Sequence, residues 1–191
     1  MPEKLKVLFV PIGYQASGMY RMTLPAYYMN NYGNIEVCAE PAGATITSTL
    51  VDMFDVVVLQ RCASKSMLDL IQYCKNAGKK LVMDVDDLFV EVPDWNPAKS
   101  SYRSENLTIH SQIIKMVDLI TVTTPKLAEY YKGSAKTVKI LPNCVDFKLY
   151  DDNVNNARIE NKDNQIRLLW MGSATHQEDF RIIEDVVTKL I

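Results

Sequence analysis

Short apolar runs punctuate the chain at near-regular intervals, and amphipathic segments fill the gaps between them. Runs at residues 6–10, 35–39, 56–59, 81–83, 119–122 and 138–141 are short and mostly apolar, and they read as buried strands. Between them, residues 19–30 predict a helix with Met22, Tyr27 and Met29 among its apolar positions, and residues 45–53 predict a weaker one. Ser64 is placed as the N-cap of a helix over 65–76, which Gly78 ends. A further helix ends near Val117. Thr124 and Pro125 then open a short helix to Tyr131, because proline in the first turn gives up an N–H that has no partner there.

Strands that are apolar on both faces, each followed by a helix, imply a parallel sheet covered on both sides. The expected fold class is therefore α/β, a Rossmann-like doubly wound parallel sheet over residues 1–150. The pattern changes after that point. Residues 151–165 are rich in Asp, Asn and Lys and read as a linker, and residues 166–171 read as a seventh strand. Thr175-His176-Gln177-Glu178 has the form of a capping box, opening a helix with Ile182, Ile183, Val186 and Val187 on one side. Residues 166–191 are too few for a complete domain, so the expectation is an extra βα unit, the start of a truncated second domain. Its apolar helix needs cover, and self-association through 177–191 is one way to supply it.

Composition narrows the class. The chain has 191 residues, 48% of them hydrophobic and 23% charged, which is globular and not disordered. A net charge of −2, with scattered basic residues, gives no electrostatic case for nucleic acid as a partner. Cysteines 38, 62, 74 and 144 lack metal-site spacing and read as reduced thiols. The chain enters its first strand without a signal-peptide pattern, and no apolar run approaches the ~20 residues of a membrane span. A cytoplasmic location is expected, at most peripheral to a membrane.

Parallel sheets take ligands on the loops beyond the carboxyl ends of their strands, which yields a shortlist. Gly13 and Gly18 permit close backbone approach, and Arg21 in the following helix favours an anion. The spacing is not that of the dinucleotide fingerprint, and a tight turn with an ion-paired Arg21 is an equal reading. Arg61 follows its strand directly and is suited to clamping a phosphate or to pairing with an acid such as Asp84. Asp84-Val85-Asp86-Asp87 is the densest acidic cluster, and such a cluster needs a cation, a basic partner or solvent. Read as D-x-D, it allows a magnesium-dependent phosphatase using Asp84 and Asp86, although Leu88 stands where that motif wants Thr or Val. His110 lies in a helical pattern and reads as structural. His176, at a strand-to-helix junction, is placed to donate to a phosphate or a sugar hydroxyl.

Taken in order, these stretches resemble the N-terminal half of a B-type glycosyltransferase of the retaining group 1 (family 4-like). The stretches are Ser17-Gly18-Met19-Tyr20-Arg21 with Leu24-Pro25-Ala26, then Leu81 to Phe89, then Asp118 to Pro125, then Leu141-Pro142-Asn143-Cys144-Val145-Asp146. Arg167 to Ser173, with Thr175-His176, is similar to the opening of the second domain. The resemblance implies sugar transfer from a nucleotide-linked or lipid-linked donor to a glycan, lipid or protein acceptor, with no resident cofactor or metal. It implies that the first domain receives the acceptor, with Gly13, Gly18, Arg21, Arg61 and Asn143 as binding candidates. Asp84 stands roughly where many members carry a histidine, so a carboxylate from Asp84, Asp86 or Asp87 would orient or deprotonate the acceptor. Gly172, Ser173 and His176 would approach the donor. The donor-binding acidic pair is not in this chain, so the expectation is an inactive portion. A non-catalytic Rossmann-like interaction module is the remaining alternative.

Overall fold

A computed structural model describes residues 3–13, 16–31, 34–41, 43–148 and 167–190. Six strands form one all-parallel sheet in the order β2-β1-β3-β4-β5-β6: β1 Leu5–Val10, β2 Ile35–Ala39, β3 Val56–Gln60, β4 Lys80–Val85, β5 Leu119–Val122 and β6 Val138–Ile140. The sheet is flanked by helices, as the two-sided apolar strands require. The first connection, from β1 to β2, runs one way and every later one runs the other. Because parallel crossovers are right-handed, the two directions put their helices on opposite faces.

One face packs on the first connection, a helical stretch in three pieces: α1 Ala16–Gly18, a π-helical segment Met19–Thr23, and α2 Leu24–Met29. An uninterrupted helix is the expectation here. Pro25 explains the departure, because it has no N–H to return to the carbonyl of Arg21, and the ladder widens so that Leu24 N–H reaches Met19 O instead. Met22 and Ala26 from this stretch close a core with Val7, Phe9, Val37 and Val58. The opposite face is drier: Leu8, Val57, Leu59, Leu81, Met83 and Ile120 are all fully buried. Each such side chain contributes roughly 1.5–3 kcal/mol by leaving water.

The remaining helices follow their caps. Thr47 accepts from Leu50 N–H to start α3 Ser48–Asp52, and Ser64 accepts from Met67 N–H to start α4 Lys65–Asn76. Gly78 leaves α4 with φ +72°, in the left-handed region that glycine enters without strain. Two 3-10 turns, Phe89–Glu91 and Pro97–Ser101, precede α5 Ser104–Met116, and Thr124 caps α6 Pro125–Tyr131. No described helix is long and apolar enough to cross a membrane.

The chain divides into two compact units, one comprising Met1–Phe89 with Ser104–Cys144, the other Val90–Arg103 with Val145–Ile191. The division falls at Cys144, a little before the expected residue 150, and the loop segment 90–103 clusters with the C-terminal residues. The expected linker 151–165, Ile166 and Ile191 lie outside the described residues. The seventh strand is a correction. Residues 167–173 form no strand, and Leu168, Leu169 and Met171 are exposed. An extended segment becomes a strand only when a neighbour takes its N–H and C=O groups, and among the described residues none does. The capping box is also corrected. Thr175 pairs its hydroxyl with Ser173 while Glu178 pairs with Arg181, and a 3-10 turn Ala174–His176 leads into α7 Gln177–Leu190.

Candidate functional site

Register assembles the site. Gln60 on β3 stands opposite Asp84 on β4, Asp84 stands opposite Thr121 on β5, and Thr121 opposite Lys139 on β6. Residues directly opposite one another share a face, so one polar row crosses the carboxyl ends of four strands beneath the helical connection of β1. Three largely apolar strands, β3, β4 and β5, thus each carry a polar side chain at or next to their carboxyl end, on the same side.

Arg21 closes this row. The π-helical segment presents it inward, where it is 5% exposed. Its Nε donates to Asp84 Oδ2 at 2.9 Å and its Nη2 to Asp84 Oδ1 at 2.5 Å. Its Nη1 donates to the carbonyl of Leu141 at 2.6 Å and to Asn143 Oδ1 at 3.3 Å. Thr121 Oγ1 adds a third donor to Asp84, at 2.6 Å from Oδ1. Burial works against the charge on Arg21, but the hydrogen bond and charge of Asp84 outweigh it and hold the guanidinium above its ordinary range.

Asp84, expected to face an acceptor, is therefore an internal counter-ion with its oxygens engaged and 2% exposure. Arg21, expected to bind an anion, already holds one. Gly13 and Gly18 do approach closely, but the approach is to each other. A Cβ on Gly18 would stand 1.8 Å from the carbonyl oxygen of Gly13, so the turn admits only glycine there.

Arg61 leaves β3 with φ +21°, an uncommon backbone for a side chain of this size. Its N–H donates to the carbonyl of Asp84 at 2.8 Å. Its side chain turns to the acidic cluster, with Nη1 3.4 Å from Asp87 Oδ2 and 3.7 Å from Asp86 Oδ1. The second distance is within Coulombic reach but beyond a hydrogen bond. Asp87 is largely exposed, whereas the Asp86 side chain is 10% exposed. Burial pushes the Asp86 carboxyl above its ordinary range, Arg61 opposes that shift, and Asp87 and Asp84 add to it. Among the described residues, no three His, Cys, Asp or Glu side chains gather as they would to hold a metal ion.

His110 is fully buried. Its Nδ1 faces the carbonyl of Cys62 at 3.0 Å and must donate, so Nε2 accepts from the Tyr131 hydroxyl at 3.2 Å. The ring is neutral and structural, and burial holds its pKa below the ordinary value, against the opposing pull of the Cys62 carbonyl.

The second unit holds Gly172, Ser173 and His176 close together. A Cβ on Gly172 would crowd that of His176 at 3.1 Å, and His176 Nδ1 donates to Asp179 Oδ2 at 2.8 Å. His176 is exposed.

Three residues of the row, Gln60, Thr121 and Lys139, were not among the candidates. Gln60 ends β3 and Thr121 interrupts β5, both otherwise apolar, and those breaks were the available signal. A concavity of about 520 Å³ between α6 and β6 contains none of the row; it is lined by Pro125, Ala128, Lys132, Val138 and Ile140 among others, with Val138 and Ile140 on the sheet face away from Lys139. Compared with protein-family models and with characterised proteins, the chain matches none.

Proposed function

We propose that the sheet-bearing unit is the acceptor-side half of a sugar-transferring enzyme of the B-type arrangement. One observation carries this reading. The N-terminal stretches that resemble the family converge on a single ion pair: Arg21 from the first and Asp84 from the second form it, Thr121 from the third donates to Asp84, and Leu141 with Asn143 from the fourth accept from Arg21. Residues so far apart in sequence meet at one point when they brace one cleft floor. The brace stiffens the carboxyl ends of β4, β5 and β6, where an acceptor would be received. In this reading the donor is held by groups outside this unit, so the unit should prefer glycosides to nucleotides.

Saturation-transfer spectra of the intact chain with methyl glucoside and methyl mannoside, and with UDP and GDP, test this directly. Glycoside signals should respond and nucleotide signals should not. Tight UDP or GDP binding at the strand ends, with no glycoside response, would overturn the reading. Magnesium-dependent hydrolysis of p-nitrophenyl phosphate, lost in Asp84→Asn, would instead favour the phosphatase. A second reading, an interaction module, draws on α7, whose Ile182 and Val186 are exposed. Sedimentation of the chain as a dimer that Ile182→Asp converts to monomer would support it.

A further inference from the structure

The strand order reverses between β1 and β3, since β1 leads out to β2 and the chain then returns past it to β3. Loops leave such a point in opposite directions, which opens the crevice where doubly wound sheets take ligands. Here the residues at that point are Ile12 and Gly13 after β1, and Gln60 and Arg61 after β3.

Gln60 is 1% exposed. Its Oε1 accepts from Ile12 N–H at 3.1 Å, which fixes the orientation of the carboxamide because an N–H needs an acceptor opposite it. Nε2, with its two hydrogens, therefore lies on the other side, and it has no hydrogen-bond partner. Asp86 Oδ1 is likewise buried without one. Leaving such a donor unmatched is destabilising, and a charged acceptor more so, so each calls for a partner. The left-handed turn at Arg61 brings a positive charge beside Asp86 without supplying that hydrogen bond.

Geometry and charge select the partner. Gln60 stands opposite Asp84, and Asp86 lies two residues further on, so their α carbons are roughly 8 Å apart at ordinary strand spacings. A phosphate would satisfy the carboxamide but meet the charge of Asp86 and Asp87. An amine would satisfy Asp86 but offers nothing to a second donor. Neighbouring hydroxyls do both, because each can accept from an N–H and donate to a carboxylate.

We propose that Gln60 Nε2 and Asp86 Oδ1 hold adjacent hydroxyls of a neutral carbohydrate at the β1/β3 reversal. This deepens the transfer reading and rests on it for the ligand's role as acceptor. It moves the acceptor-facing carboxylate from Asp84, which is spent on Arg21, to Asp86.

The test uses proton–nitrogen correlation spectra of the intact chain. The Gln60 carboxamide pair is assigned by its loss in Gln60→Leu, or in Gln60→Glu if the leucine variant does not fold. Methyl glucoside, methyl mannoside, their 2-deoxy analogues and inorganic phosphate are then titrated in turn. The Gln60 pair should shift with the glycosides, less with a deoxy analogue, and not with phosphate. Asp86→Asn should weaken glycoside binding by ~10-fold or more, the worth of one charge-assisted hydrogen bond. A carboxamide pair unmoved by every glycoside, as a resident water alone would leave it, overturns the proposal. An equal response to phosphate, or unchanged affinity in Asp86→Asn, does so too. If glycosides shift other signals of the unit but leave Gln60 unmoved, this site falls while the acceptor-side reading survives. If Gln60 responds to glycosides but nucleoside diphosphates bind the same strand ends, the site stands and that reading falls.

Discussion

Replacing Arg21 by methionine removes the cation that pairs with Asp84 in the sheet interior. Each partner's side chain is 3% exposed, so solvent can neither screen the pair nor rehydrate the carboxylate left behind. Asp84 would lose the donors at 2.9 and 2.5 Å and keep only Thr121. Leu141 would lose the donor to its carbonyl. Two hydrogen bonds to a charged group, at about 1.5–3 kcal/mol each, bracket the loss from one side. Stranding one charge of a buried pair, at about 3–5 kcal/mol, brackets it from the other. Both place Arg21→Met at about 3–5 kcal/mol, a large share of the ~5–15 kcal/mol that holds a domain folded.

The informative variant is the double one. Arg21→Met with Asp84→Leu removes both charges and their desolvation together, and should return to within ~1.5 kcal/mol of the parent chain. Urea titrations followed by far-UV circular dichroism are the suitable assay, because both tryptophans, Trp95 and Trp170, belong to the second unit and would not report on the sheet. The midpoint should drop in each single variant with its slope unchanged, and recover in the double. If the single losses stay under ~1 kcal/mol, or simply add in the double variant, the pair is not a buried brace and the reasoning fails.

Two further outcomes follow from buried groups. His110 has a folded pKa below its unfolded value near 6.5, so the unfolded chain protonates first; the stability it contributes is present above about pH 6.5 and is lost as pH falls below it, by at most ~1.4 kcal/mol per unit. Ring signals of His110 that titrate near 6.5, alongside a flat urea midpoint from pH 7.5 to pH 5, would contradict this. Burial pushes the Cys62 thiol up to about 12 and the Cys74 thiol up to about 11, whereas Cys144 is exposed, so a thiol reagent at mildly alkaline pH should modify Cys144 in a fast phase that Cys144→Ser abolishes. Rapid labelling of Cys62 in the folded chain would show that its strand end opens.

Helix starts and strand positions were legible because each has a local cause. Ser64, Thr124 and Gly78 act within a turn of their own position, and each does what its residue type suggests. The seventh strand was not legible, because Leu168-Leu169-Trp170-Met171 is apolar enough for a strand but a strand exists only with a neighbour. The break of the first helix into a π-segment falls between these cases. Pro25 was visible, but whether proline kinks, ends or widens a helix depends on what its neighbours must reach. Here Arg21 reaches Asp84, Leu141 and Asn143 from within the widened turn.

The acidic cluster makes the same point about chemistry. Asp84, Asp86 and Asp87 are close to indistinguishable in sequence, and all three were candidates for one role. Register separates them. Asp84 falls opposite Gln60 and Thr121, under the helix that supplies Arg21, and becomes a brace. Asp87 is exposed and contacts Arg61 loosely. Of the three, Asp86 alone has a buried oxygen without a hydrogen bond, Oδ1, beside a cation too distant to give one. A carboxylate oxygen in that condition keeps its capacity to accept a hydrogen bond, and burial has raised the pKa of the group above its ordinary value. The residue best suited to meet a ligand is thus the one the fold leaves unsatisfied, and an acidic motif identifies it only once every neighbour's partner is known.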